Sequence, residues 1–96
     1  MPKGYWIAHV TVKDAANYPK YREQVGPILA AHGGRFLARG GRYESPEKSP
    51  HERHVIVEFD SFEKAKACYF SPEYQKAVQI RFACASSNFY LVEGAD

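Results

Sequence analysis

The sequence predicts an α+β fold in which a four-stranded antiparallel sheet carries its helices on one face. Three observations predict it. Segments alternating with period two open the chain, occupy its middle and close it. Segments repeating at steps of three and four lie between them, and proline, serine and glycine stand where those helices should start and stop. The resulting order is βαββαβ, with the second helical crossover divided in two.

The first strand is read over residues 4 to 12. Trp6, Ala8, Val10 and Val12 alternate with Tyr5, Ile7, His9 and Thr11, and neither set is strongly polar, so both faces of the strand are expected to be covered. Asp14 and Asn17 are candidate caps for the helix that follows. Its stripe runs Tyr18, Tyr21, Val25, Ile28, Leu29 and His32. Pro19 suits the first turn, Pro27 should kink the interior, and Gly33-Gly34 should stop the helix through a left-handed residue.

A second strand is read from Arg35 to Glu44, with Gly40-Gly41 inside it. A phosphate-binding loop would need a helix directly after those glycines, and Arg42-Tyr43-Glu44 and prolines follow instead, so the expected role is a bend or bulge within the strand. The hydrophilic "SPEKSPHE" forms a loose tip leading to a third strand, "RHVIVEF", Arg53 to Phe59. Asp60 and Glu63 have capping-box spacing and open a short helix with Phe62, Ala65 and Tyr69 inward. "SPEY" restarts a helix with Ser71 as cap and Pro72 at its first position, and the stripe Tyr74, Ala77, Val78, Arg81, Phe82 continues it. "NFYLVEG", residues 88 to 94, supplies the last strand. Handedness rules fold this order into the ferredoxin-like arrangement, with strands one and three in the middle.

The 96 residues are read as one domain, 1–96. A net charge of +2 without basic runs argues against nucleic acid and anionic lipid as partners. The βαββαβ order also occurs in RNA-recognition motifs, but "HVIVEF" is acidic where their third strand is basic. The apolar runs are too short for a membrane span and the N-terminus does not read as a signal peptide, so a cytoplasmic location is expected. Cys68 and Cys84 are expected to be reduced packing residues.

"GYWIAHVTV", "GGRFLARGG", "VIVEFDSFEKAKACYFSPEYQKAVQIR" and the closing "VEG" together resemble domain-of-unknown-function family 1330 over nearly the whole chain. The resemblance implies membership of the dimeric α+β barrel superfamily, in which two ferredoxin-like sheets meet face to face as a homodimer. Relatives there include cofactor-free antibiotic-biosynthesis monooxygenases, muconolactone isomerases and haem-dependent chlorite dismutases. For this chain the resemblance implies fold and dimer. A small-molecule-binding protein, working without a cofactor as an oxygenase or isomerase on a small organic acid or enol, is an expectation by analogy. The alternative is a non-catalytic ligand-binding or stress-related dimeric module.

Six residues are candidates for the site. Arg81 interrupts an apolar stripe, so it either pairs with Glu58 or Glu93 or anchors an anionic ligand between helix and sheet. Arg39, beside the glycine pair, can grip a carboxylate or phosphate or pair with a neighbouring Glu. Tyr69 and Tyr74 are candidate substrate-positioning phenols within an aromatic set that includes Tyr5, Trp6, Phe82 and Tyr90. His9 and Glu58, read as parallel neighbours on the two middle strands, form a candidate catalytic pair in which the carboxylate raises the imidazole pKa. A lone core histidine is the competing account of His9. No metal site is expected, because the HxxH of His51 and His54 straddles a loop and a strand start; Ser86-Ser87 lack a nucleophile elbow.

Overall fold

The computed structural model describes residues 2–95. Strand β1 spans Gly4–Val12, helix α1 Tyr18–Ala31, β2 Arg35–Arg39, β3 Arg53–Phe59, α2 Phe62–Tyr69, α3 Pro72–Cys84 and β4 Ala85–Glu93. The sheet order is β2-β3-β1-β4 and every pairing is antiparallel. This is the ferredoxin-like arrangement, with β1 and β3 central. The helical crossover returns β2 in the direction of β1, and the connection from β2 reverses the chain into β3. β1 and β3 therefore run opposite ways, which corrects the expectation of parallel neighbours.

Alternation along β1 divides the sheet. Trp6, Ala8 and Val10 are buried beneath the helices, while Tyr5, Ile7 and His9 lie half-buried on the face that no helix covers. Val57 and Phe59 of β3 join Tyr21, Val25 and Leu29 of α1 and Tyr74 and Val78 of α3 in the core. Ile56 and Glu58 of β3 and the exposed Tyr90 and Val92 of β4 share the parity of the open face. Among the described residues no helix is long and apolar enough to cross a membrane.

Local chemistry explains most of the element boundaries. Asp14 Oδ1 accepts from the backbone N–H groups of Ala16 and Asn17, a turn that delivers the chain into α1 at Tyr18. At the other end Gly33 adopts φ +76°, and the N–H of Gly34 reaches back to the carbonyl of Leu29 at 2.8 Å, closing a Schellman motif. Ser71 Oγ accepts from the N–H of Tyr74 and donates to the carbonyl of Cys68, tying α3 to α2. The cap of α2 is Ser61, whose Oγ accepts from the N–H of Lys64, one residue beyond the expected Asp60. Asp60 is drawn instead toward Lys3, Arg35 and Lys64.

Two further boundaries differ from expectation. β2 ends at Arg39, because Gly40 turns away with φ +68° and its N–H bonds the carbonyl of His54. The bulge lies earlier: Phe36 faces Val57, Ala38 faces Ile56, and Leu37 is left without a partner between them. β4 begins at Ala85 directly from α3, three residues before the expected start. Phe82 is 56% exposed, so the inward stripe of α3 runs Tyr74, Ala77, Val78, Arg81, Cys84 without it. Both cysteines are free and buried, and burial pushes the Cys68 thiol up to about 12.

Candidate functional site

A cavity of about 360 Å³ lies between α1, α3 and the helix-facing side of the sheet. That volume falls within the usual range for a small-molecule pocket. Its floor follows from strand register. One rung across the sheet reads Arg39–Val55–Ala8–Phe89, and the next reads Arg53–Val10–Ser87. Ala8 and Val10 are small, so space remains above the middle of the sheet where larger side chains would fill it.

The bulge at Leu37 decides what stands at the β2 end. In an unbroken strand Phe36 and Arg39, three residues apart, would face opposite ways. With one residue looped out they share the cavity side, and the Arg39 guanidinium carbon lies 4.6 Å from the centroid of the Phe36 ring. Gly40 then makes room for a second cation, because a Cβ there would run into Arg53 Nη1. Arg53 lies over the ring of Tyr18 at 5.8 Å, and its Nε is buried without a partner.

Arg81 stands over the opposite end. It is 2% exposed, and its guanidinium carbon lies 5.0 Å from the ring of Phe89 and 5.7 Å from that of Tyr21. Nη1 donates to Ser87 Oγ, whereas Nε and Nη2 are buried without a partner. Neither Glu58 nor Glu93 pairs with it. The lining thus holds four guanidinium groups, Arg22, Arg39, Arg53 and Arg81, against one carboxylate, Glu23, and none of them joins an ion pair among the described residues.

Two phenols extend the site. Tyr21 lines the cavity and its hydroxyl meets that of the fully buried Tyr74 at 2.6 Å. Burial raises the pKa of both, with the Tyr21–Tyr74 contact and Arg81 as lesser influences, so both are neutral at physiological pH. Either hydroxyl can donate in this contact, and when Tyr74 does, the Tyr21 proton is available to the cavity.

The structure brings Arg39 and Arg81 together on this cavity and separates the other candidates from it. Tyr74 sits behind Tyr21, and Tyr69 packs against Trp6, Tyr74 and Phe89; neither lines the space. Of the expected aromatic set only Trp6 contributes to the wall, Tyr5 and Tyr90 being on the open face.

His9 and Glu58 also lie on the open face, and they do not meet. Glu58 is opposite Tyr5 and His9 opposite His54, a separation of four residues, about 13 Å along the strand. Glu58 instead accepts from Arg35 at 2.8 Å and from Tyr5 at 3.4 Å, and Arg35 holds its carboxyl below the ordinary range. His9 Nδ1 meets His54 Nδ1 at 2.8 Å. Burial, then the charges of His54 and His51, lower the His9 pKa, which reverses the expected direction. His51 is tied to Thr11 Oγ1 at 2.9 Å.

Sequence reasoning passed over Tyr21, Arg22, Arg53 and Glu23. For Arg53 a signal existed: it shares parity with Val55 and Val57, the buried side of β3.

This geometry defines a ferredoxin-like α+β protein with an arginine-lined cavity between helices and sheet. The chain belongs to the family described as "Domain of unknown function (DUF1330)", whose sequence model matches residues 3–95. No curated protein matches it. Among solved structures it is similar to a protein of unknown function from Rhodopseudomonas palustris, at 18% identity and TM-score 0.77, covering 99% of this chain and 84% of that one. A dimeric ferredoxin-like protein of unknown function from Jannaschia sp. CCS1 is similar at 14% identity and TM-score 0.68, covering 95% and 98%. SnoaB, a cofactor-independent oxygenase from Streptomyces nogalater, is similar at 12% identity and TM-score 0.67, covering 100% and 96%. At these identities the likeness is one of fold.

Proposed function

We propose that this chain binds a small organic acid or enol as its anion in the helix–sheet cavity and stabilises that anion for cofactor-free chemistry, oxygenation or isomerisation. The observation that carries the reading is Arg81, which lines the cavity, is 2% exposed, and has Nε and Nη2 buried without a hydrogen-bond partner. A guanidinium so placed is costly without a partner, and a carboxylate or enolate oxygen pair is its natural complement. Tyr21 adds a neutral donor to the same oxygen. Negative charge developing on an enolate would be stabilised there by groups already in position. The resemblance in fold to a cofactor-independent oxygenase is compatible with this and is analogy only.

A second reading, ligand binding without turnover, is favoured by one placement. The His9 imidazole, the candidate proton carrier, lies on the other face of the sheet from the cavity. In either reading the partner is a second copy of the chain. Tyr5, Ile7, Ile56, Tyr90 and Val92 form an apolar open face without a helix over it, and a relative of the same fold is described as dimeric. The proposed assembly stacks two such faces.

Calorimetric titration of benzoate into the wild-type protein and into Arg81→Met tests the reading. Saturable binding that disappears in the folded variant supports it. Equal binding by both, or none by the wild type, sinks it. Oxygen uptake and proton exchange at the α-carbon of added keto acids then separate turnover from binding alone.

A further inference from the structure

We infer that the ligand is two-headed: a flat apolar body with an acidic group at each end, a dicarboxylate or a keto acid held as carboxylate and enolate. The inference rests on the cavity being the ligand site, and goes beyond it by naming the substrate class.

Register supplies the argument. Arg39 and Phe89 occupy opposite ends of one rung, with only Val55 and Ala8 between them. Three strand spacings separate those ends, about 14 Å between backbones. Arg81 hangs over the Phe89 end. Arg53 and Ser87 repeat the pattern one rung on, and Ser87 accepts from Arg81. On the sheet the positive charge is therefore divided into two groups, Arg39 and Arg53 over β2 and β3 and Arg81 over β4, with an apolar floor along β1 between them and Arg22 beside Glu23 on α1.

A single carboxylate would satisfy one end and leave the cations of the other, Arg39 and the buried Arg53 Nε, without an acceptor from the ligand. Between the two ends the sheet side, Ala8, Val10, Val55, Trp6 and Phe89, offers hydrocarbon and aromatic surface, and the polar lining there, Tyr21, Arg22 and Glu23, comes from α1 above it. A flat body with charge at both termini matches the apolar sheet side and the cations at its two ends, and a monoanion uses only one of them. Side-chain acceptors do not replace the ligand at either end: Arg81 Nε and Nη2 and Arg53 Nε are all buried and unpartnered.

Terephthalate and benzoate share a ring and differ in the second, opposed carboxylate, so their affinities read the second head directly. Each is titrated calorimetrically into the wild type, Arg39→Gln and Arg81→Gln. Arg39 is exposed, so its replacement leaves the core intact. The expected result is terephthalate bound about tenfold or more tighter than benzoate. Arg39→Gln should erase that preference without changing benzoate affinity, and Arg81→Gln should weaken both ligands. Equal wild-type affinities, or an equal loss of both ligands in Arg39→Gln, overturn the two-headed ligand and leave single-anion binding standing. Absence of binding by either compound overturns both.

Discussion

Arg39 lies over the ring of Phe36, 4.6 Å from its centroid, although the two residues are three apart in a strand. Alternation would send them to opposite faces, and the looped-out Leu37 is what reconciles them. One surplus residue on an edge strand thus moves a cation from the open face of the sheet into the cavity. Leu37 is 56% exposed, so its contribution is geometric and not one of packing. Deleting Leu37 makes Phe36 and Arg39 next-but-one neighbours of a regular strand, still opposite Val57 and Val55 on the cavity side, so terephthalate affinity should stay within about twofold of the wild type. A loss as deep as that of Arg39→Gln would show that Arg39 had left the cavity side and would contradict this register.

Gly40 holds a second part of the same end. Its φ of +68° is strained for any other residue, and a Cβ would meet the guanidinium of Arg53. Gly40→Ala should cost about 1–3 kcal/mol in urea unfolding, from the backbone. The tip of Arg53 is flexible and will yield, so anion affinity should fall as well. A substitution neutral in both measurements would contradict this account of the turn.

The Tyr21–Tyr74 pair makes a prediction about stability. Tyr74→Phe removes the partner of a buried hydroxyl while preserving the ring among Trp6, Tyr69 and Tyr21. Loss of about 1–3 kcal/mol is expected from denaturant titration. Tyr21→Phe should weaken benzoate binding in addition, because Tyr21 lines the cavity and Tyr74 does not. Identical ligand effects from the two substitutions would remove Tyr21 from the site.

The facing imidazoles on the open side make stability sensitive to acid. His9 has a folded pKa below its ordinary 6.5, chiefly through burial and then through repulsion by His54 and His51. Below 6.5 the unfolded chain binds the proton more readily than the folded one. Stability is therefore fully present above that pH and is lost as pH falls from about 6.5 through the lower folded value. His54→Asn removes the like charge and should shrink the loss, read as the change in urea midpoint between about pH 7.5 and 5.5. An unchanged slope would mean that the pair is not the sensor.

Much of the architecture was legible because its signals are local. The alternation of β1, the β-branched run of β3, the Gly33 stop and the Ser71-Pro72 start each reside within a few residues. The burial of Arg81 was legible for a similar reason, a charge within an apolar stripe. What escaped depends on contacts between strands. The end of β2 turns on a left-handed Gly40, and the chemistry of Tyr43 concealed it. The bulge at Leu37 exists only through the pairing with β3, and the same pairing sets His9 against His54 and Glu58 against Tyr5. Tyr21 fits its element without irregularity, and only the assembled cavity distinguishes it from an ordinary core residue, whereas the parity of Arg53 with Val55 and Val57 could have been read.

A crystal structure grown with benzoate addresses the central claim most directly. The account predicts a carboxylate bidentate on Arg81 Nε and Nη2, within reach of the Tyr21 hydroxyl, with the ring lying over Ala8. An empty or side-chain-filled cavity, with the Arg81 guanidinium satisfied by protein acceptors, would contradict it.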